Sequence, residues 1–419
     1  MERAGDSGRL PSLAGAKWLI EPATCAVFAA LLAEGAEARA VGGAVRNALM
    51  GTPVKDIDIA TTALPDDVMR LAKKAGLHAV PTGIEHGTVT IIAQHVPFEI
   101  TTLRRDIETF GRHARVTFTT DWREDALRRD FTMNALYCDA DGTAHDPIGG
   151  YGDLVARRVR FIGDAHARIR EDFLRILRFF RFSAQYGNGV PDAEGLAATI
   201  AERSGLADLS GERVRAELLL LLAAPAAVEV VRVMDEARFL EPWIGNPANV
   251  ERLARLADIE TAIQREGDPV LRLAALARDD DLKDPKRLQD RLRLSAEETT
   301  QLARAGVCDP ALEPGPDERA AQAFLYRHGA DCFIDGTLMA WARSNDRPND
   351  AKRMRHIQLP QRWKVPELPV RGSDLLELGV PAGPEVGRLI AAFEDWWIAQ
   401  DFPSEPERVR AKLSELIAV

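Results

Sequence analysis

Two aspartates stand two residues apart in the run Lys55-Asp56-Ile57-Asp58-Ile59-Ala60. Polar and apolar residues alternate there, and on a strand residues two apart share a face. Asp56 and Asp58 then face one way, while Ile57 and Ile59 face a core. Two ionised carboxylates side by side repel, so they need a cation between them. Oxygen donors of this kind suit Mg²⁺, which takes one or two carboxylates together with substrate phosphates. A candidate phosphate site lies just upstream. Gly42 and Gly43 let the backbone approach a ligand closely. Residues 44–49 read as a helix start, whose free N–H groups favour an anion. Arg46, in that first turn, offers a fork of donors to a phosphate.

Taken singly, a double glycine is often only a turn and a DxD only a solvated strand edge. Together and in this order, GGAVR followed by DID resembles the nucleotidyltransferase signature of the polymerase-β-like superfamily. Residues 96–102 (VPFEITT) read as a strand. A neighbouring strand can bring its Glu99 beside Asp56 and Asp58 as a further metal ligand, or leave it an edge carboxylate. In 128–130 (RRD), Arg129 can hold a triphosphate and Asp130 can accept from a ribose hydroxyl.

The second chemical element is 170–186, REDFLRILRFFRFSAQY. It reads as one helix, apolar on nearly every side and therefore buried. Asp172, Arg175, Arg178 and Arg181 interrupt it every third residue. Steps of three lag the helix by about 60° each, so these side chains wind round it. Three arginines with one nearby acid lack a counter-charge, and buried charge must be paired. The missing anion is then a triphosphate or an RNA backbone; internal ion pairs with other segments are the alternative. Asp172 accepts and Arg175 donates. Side by side they can offer a nucleobase the hydrogen-bond pattern of a template base. Cytosine and adenine both carry an exocyclic amino donor beside a ring-nitrogen acceptor. One Asp–Arg pair satisfies either and rejects uracil and guanine.

The rest of the chain must position these groups. Its 419 residues, 46% hydrophobic, allow several cores, and length alone suggests roughly three domains. No apolar run approaches the ~20 residues that cross a bilayer, and the first residues lack the long apolar stretch of a secretory signal. Cys25, Cys138, Cys308 and Cys332 are far apart and read as reduced thiols of a cytoplasmic protein. Scattered histidines, without an HExxH, argue against a phosphohydrolase domain. A net charge of −10 counts against nucleic-acid binding when taken alone. Arginine is nevertheless dense between 104 and 181, so a basic groove on an acidic protein is expected. Residues 1–16 read as disordered, 18–34 and 65–75 as helices, 81–83 as a turn and 87–92 as a strand. Residues 103–116 lack a period and read as a mobile loop placed to gate the site. An apolar strand is expected at 134–138, a turn at 146–150, a last strand at 157–162, and helices thereafter. The basic stretch 353–364, with Trp363, reads as an RNA contact or a linker.

The segments GGAVRNALMG, KDIDIATTALPDDV, HGTVTII, FEITTLRRD, RRDFTMNALYCD, DPIGGYGDL and EDFLRILRFFRFSAQY occur in this order. They resemble the bacterial class II tRNA nucleotidyltransferases, the CCA-adding enzymes and their poly(A) polymerase relatives, strongly over 20–225. The segment GSDLLELG to GPEVG is similar to the end of members without a phosphohydrolase domain. The resemblance implies an α+β fold in a seahorse-like shape. A polymerase-β-like head with a mixed sheet (18–163) is followed by a helical neck (164–225), body (226–345) and tail (346–419), the tail contacting tRNA. It implies template-independent addition of CCA to tRNA 3′ ends from CTP and ATP, with two Mg²⁺ ions and release of pyrophosphate. The partner is then tRNA, with neither a membrane nor DNA. By matching position, Asp56 and Asp58 bind the metals, Gly43 and Arg46 contact the triphosphate, and Arg129 contacts the nucleotide. Asp172 and Arg175 form the protein template, Arg178 and Arg181 support the nucleotide, and Glu212-Arg213 falls in a neck-stabilising motif. The 103–116 loop helps the switch from C to A. Asn47 stands where relatives commonly carry Asp. The alternatives are a poly(A) polymerase, an enzyme adding only CC or only A, and, from a different class, a non-catalytic tRNA-binding protein with a decayed site.

Overall fold

A computed structural model describes residues 10–418 apart from 111–112, 246 and 316, without the side chains of 106–115. The chain divides into two compact units, up to 246 and from 247 on. The first contains a seven-stranded mixed sheet, and helices fill the second. This is the α+β architecture expected.

The short helices α1 (Lys17–Ile20) and α2 (Pro22–Leu32) lead into strand β1 (Ala38–Val41) and helix α3 (Gly43–Leu49). The single helix expected at 18–34 is divided at Pro22, whose ring removes a donor and starts a new helix instead. Next come β2 (Asp58–Thr61), α4 (Pro65–Lys74), β3 (His78–Gly83), β4 (Thr88–Ala93) and β5 (Val96–Thr102). Helix α4 has Asp66 and Asp67 in its first turn and Lys73 and Lys74 in its last, each sign matched to the helix dipole. Strand β4 alternates half-buried and buried residues, as its β-branched pattern requires. The order across the sheet is β3-β4-β5-β2-β1, then β8 (Tyr137–Cys138) and β9 (Ala144–His145). Strand β2 runs parallel to β5 and antiparallel to β1.

Further local expectations are corrected. Residues 81–83 end strand β3; the reversal comes at Ile84–His86 and closes on Gly87 at φ 80°. Residues 103–116 are not an irregular loop. Strands β6 (Arg104–Phe110) and β7 (His113–Phe118) pair as a two-stranded antiparallel ribbon. Such a ribbon satisfies its backbone without an apolar face, so periodicity did not reveal it; Gly111 lies outside the described residues. The strand expected at 134–138 is cut to β8 by a 3₁₀ turn at Thr132–Asn134. At 157–162 there is no strand, only an isolated bridge from Phe161 to Phe131. Of the start expected to be disordered, residues 1–9 lie outside the described residues. Leu13, however, is buried and its N–H donates to Gly142 O at 2.8 Å.

Helices α5 (Trp122–Leu127) and α6 (Gly150–Val155) follow. The helix expected over 170–186 is two helices, α7 (Ala165–Glu171) and α8 (Leu174–Tyr186), followed by α9 (Ala193–Ala201), α10 (Gly211–Leu222) and α11 (Ala227–Glu236). Asp172 makes the break. Its backbone is extended (φ −157°, ψ 108°), and its carboxylate accepts from Leu174 N at 3.1 Å. Short polar side chains compete with the helix in this way and favour its ends. The sheet meets α8 through aromatic rings. Phe131, wholly buried, lies 5.0 Å from both Phe161 and Phe182 and 6.4 Å from Phe179.

In the second unit the longest helix, Arg319–Arg343, is kinked at Gly329. Two apolar clusters are built around Phe324 and Phe333 and around Phe393 and Trp397. The basic 353–364 stretch is mostly helical, over Ala351–Ile357 and Leu359–Arg362. Arg353 there is buried on Asp346 and Glu313, while Arg355 and Arg362 sit on Glu318.

Truncating Phe131 removes the ring that joins sheet to α8. Phe131→Ala is expected to cost about 3–5 kcal/mol, read as a lower urea midpoint with an unchanged slope.

Candidate active site

Strand β1 ends at Val41, and the chain turns at Gly42 with φ 67° and ψ −118°. Only glycine takes this conformation without strain. Gly42 N donates to Leu136 O at 3.2 Å, fixing the turn against the chain before β8.

The register of β2 and β5 sets Asp58 directly beside Glu99. Asp56 precedes the strand, yet the alternation holds. Ile57 and Ile59 are buried, and Asp56 and Asp58 are exposed. Although solvent reaches Asp58, the protein around it strips part of its hydration. That effect, with the charges of Glu99 and Asp56, pushes its pKa up to about 6 against the pull of Arg129. Carboxylates crowded to this degree favour a cation. Among the described residues, no three His, Cys, Asp or Glu side chains are gathered closely enough to hold a metal unaided. Asp56, Asp58 and Glu99 offer only oxygen donors, which fits a hard cation that completes its shell with substrate and water oxygens, as Mg²⁺ does.

Arg129 is held from behind. Asp125 Oδ2 accepts from its Nη2 at 3.0 Å and its Nε at 3.3 Å, and Tyr137 OH accepts from Nε at 3.2 Å. Asp125 is fully buried and also receives Arg128 Nε and Tyr137 OH, each at 2.8 Å. Burial opposes both charges, but the pairing wins: the carboxyl stays well below its usual range and the guanidinium above its own. Sequence reading missed Asp125, although an acid four residues before an arginine is a helix-pair signal.

Arg46 departs from expectation. It is 5% exposed and turned inward. Its Nη1 donates to Asn134 Oδ1 and its Nη2 to Tyr186 OH, both at 2.6 Å. Its Nε and Nη2 also reach Asn47 Oδ1, at 3.1 and 2.9 Å, and the guanidinium lies 3.8 Å over the Tyr186 ring. Burial lowers its pKa to about 10. The fork expected to meet phosphate is thus engaged within the protein. Asn47 passes the connection on, donating to Pro53 O at 3.1 Å in the segment that leads to Asp56.

The arginines of α8 do not lack counter-charges. Arg178 Nη2 and Nε donate to Asp130 Oδ2 at 2.6 and 2.9 Å, and its Nη1 faces Glu217 at 3.6 Å. Arg181 Nε donates to Glu217 at 2.5 Å, and Arg175 pairs with Glu171. Asp130 and Glu217 come from distant segments, which is why local spacing did not show them. Glu171, four residues before Arg175, was open to the same helix-pair reading. Asp130 has both oxygens in use. Oδ1 accepts from Phe131 N at 2.8 Å and Asn134 Nδ2 at 2.9 Å. The ribose contact expected of it would displace one of these donors. Although burial opposes its charge, these partners lower its pKa to about 2.

Asp172 and Arg175 are set apart by separate partners. Asp172 Oδ2 accepts from Arg213 Nη2 at 2.6 Å, while Arg175 Nη1 donates to Arg168 O at 2.9 Å. Both line a cleft of about 310 Å³, together with Arg128, Arg129, Asp130, Leu174, Arg178 and Arg213. The structure thus brings Arg129, Asp130, Asp172, Arg175 and Arg178 together. Arg46 and Arg181 stand behind this lining.

Residues 38–160 match the family described as the Poly A polymerase head domain. Over 384 residues the chain is 35% identical to CCA tRNA nucleotidyltransferase 1, mitochondrial, of Danio rerio, covering 90% of this chain and 87% of that protein. It is 34% identical over 408 residues to the CCA-adding enzyme of Geobacillus thermodenitrificans, covering 91% and 93%. This chain belongs to the CCA-adding tRNA nucleotidyltransferase family. A solved structure of the Bacillus stearothermophilus CCA-adding enzyme in complex with CTP aligns with a TM-score of 0.72 at 28% identity, over 94% of this chain and 96% of that one. The resemblance read from the motifs therefore holds for nearly the whole length.

In this family member, folding lowers the pKa of Asp130, so its charge stabilises the protein above the unfolded value near 4. That contribution is lost as pH falls toward about 2. Thermal midpoints should fall over this interval, and more shallowly in Asp130→Asn, which has no such proton to take up.

Proposed function

We propose that this protein adds CCA to tRNA 3′ ends from CTP and ATP, without a nucleic-acid template, releasing pyrophosphate. Arg129 carries the reading: it lines the cleft that holds Asp172 and Arg175, and its charge also acts on Asp58. One cationic side chain thus links the carboxylates to the base-reading wall, as a nucleotide with its phosphates at the first and its base at the second requires.

Asp56 and Asp58 are the residues that would hold Mg²⁺, with Glu99 a candidate third donor beside Asp58. When bound there, divalent ions supply charge neutralisation at the attacking hydroxyl and the departing pyrophosphate. The chain's own groups do the positioning. Gly42 and Gly43 leave room for the triphosphate at the turn, and Arg129, aimed by Asp125, faces its charge. Asp172 accepts from the exocyclic amino group of cytosine or adenine, and Arg175 donates to the ring nitrogen. Arg213 and Glu171 hold that pair at its set spacing. Arg178 and Arg181, aligned by Asp130 and Glu217, support the nucleotide from α8. We assign 18–163 to the catalytic head, 164–225 to the neck, 226–345 to the body and 346–419 to a tail that meets tRNA. In support, the last strand ends at His145, and among the described residues every later regular element is helical. The free thiols of Cys25, Cys138, Cys308 and Cys332 support a reducing, cytoplasmic setting.

Extension of tRNA lacking CCA, one nucleotide at a time, tests the activity. Two cytidines and then one adenosine are expected, and a long tail made from ATP alone, with no use of CTP, would overturn it. Asp56→Ala should abolish transfer while tRNA binding persists in a gel-shift assay, and chelation of divalent ions should stop the wild type until Mg²⁺ is restored. Asp172→Ala should cut the preference for CTP over UTP by about 10²-fold or more, because a polar site rejects the base that leaves its groups unpaired. Unchanged selectivity would remove the template role.

A further inference from the structure

Asn134 is 7% exposed and lies where the glycine turn, Arg46 and the nucleotide cleft converge. A side chain on Gly42 would come within 3.7 Å of both Asn134 O and Arg129 Nη1. Asn134 Oδ1 accepts from Arg46 Nη1 at 2.6 Å, and its Nδ2 donates to Asp130 Oδ1 at 2.9 Å. One amide therefore stands between the buried Arg46 cation and the Asp130 anion. A carboxylate there would satisfy Arg46 but repel Asp130, and an alkyl group would serve neither. A side-chain amide has both an acceptor and a donor within one short, planar group, and only one orientation fits both neighbours.

Both arms of this bridge end on the same helix. Through Asp130 it reaches Arg178, and through Arg46 it reaches Tyr186. These two residues are eight positions apart on α8, about 12 Å along its axis. Asp130 and Arg46, which follows the glycine turn, are thus tied to α8 at two points, and the ties join at Asn134.

We propose that Asn134 is a positioning residue for nucleotidyl transfer, fixing the separation between the Gly42 turn and the base-reading wall of the cleft. It touches neither substrate nor metal; it acts through Arg46 and Asp130. The proposal rests on reading that cleft as the nucleotide site.

Steady-state incorporation of CTP and UTP into tRNA lacking CCA tests it, with wild type, Asn134→Ala and Asn134→Asp in parallel and thermal midpoints recorded. Misalignment of about 1 Å can cost about 10²-fold, so Asn134→Ala should lower kcat/KM for CTP to that extent. UTP, already misaligned, should lose less, so the base preference narrows. Asn134→Asp keeps the volume. Near pH 6 a proton shared by the two carboxylates can restore the bridge, and near pH 8 repulsion opens it. Its activity relative to wild type should therefore fall about tenfold between those pH values. A purely structural residue would lower CTP and UTP rates by one common factor, in step with the folded fraction, and would leave the Asn134→Asp ratio flat. Either result, or wild-type kinetics in Asn134→Ala, overturns the proposal. Failure of the wild type to use CTP would instead overturn the reading of the cleft.

Discussion

Asp130 receives four donors at once: Phe131 N, Asn134 Nδ2, and the Nε and Nη2 of Arg178. Two of these come from its own segment near the sheet and two from α8, so the carboxylate is a joint between the strand-bearing part of the first unit and its helices. A buried charge is stable only when its lone pairs are filled. Once the Phe131, Phe161, Phe179 and Phe182 rings have excluded water from the neighbourhood, few arrangements of Arg178 meet that demand. The apolar contact supplies the driving force, and the ion pair selects one geometry among those that bury similar area. The site depends on that selection, since Arg178 and Asp130 both line the cleft.

The same design recurs around it. Asp125 is buried between Arg128, Arg129 and Tyr137, Glu217 is buried between Arg178 and Arg181, and the half-buried Glu171 sits between Arg168 and Arg175. An arginine has five donors in a rigid fork. With one edge held by an internal acid, the other edge has a fixed direction and loses little freedom when a ligand arrives. Removing such an acid would leave a partly desolvated guanidinium with one partner fewer and a less fixed direction. The acids thus contribute to order in the empty cleft as well as to affinity in the filled one.

What could be read in the sequence follows the range of the interactions. The strand pairing that sets Glu99 beside Asp58 was within reach, because β-branched alternation and the DID pattern are local. So was the burial of α8, from its apolar circumference. The break at Asp172 was not. An aspartate at a helix start and one inside a helix differ only in whether its carboxylate bonds the backbone two residues on. The counter-charges of Arg178 were hidden for a different reason: they lie 48 residues before it and 39 after, brought near by packing alone. The β6–β7 ribbon escaped because its backbone pairing leaves no period in the sequence. Arg46 shows the limit of motif reading. Its place after a glycine pair suggests a ligand contact, while its rotamer, set by Tyr186 and Asn134, makes it part of the frame.

The charge of Arg46 is not cancelled by that frame. Its four hydrogen bonds go to Asn47, Asn134 and Tyr186, all neutral. Hydrogen bonds to neutral oxygens lower the cost of burying a guanidinium but leave its field largely intact. Asp130, through Asn134, offsets only part of it. Low-dielectric surroundings extend such a field further than water would. The cleft wall adds five arginines, each paired with an internal acid. A chain of net charge −10 can therefore still gather guanidinium donors at one cleft. A polyanionic triphosphate entering there would meet donors already fixed by internal acids, and behind them a buried cation without an ionic partner among the described residues. Here the distribution of charge decides the chemistry that the chain's overall acidity conceals.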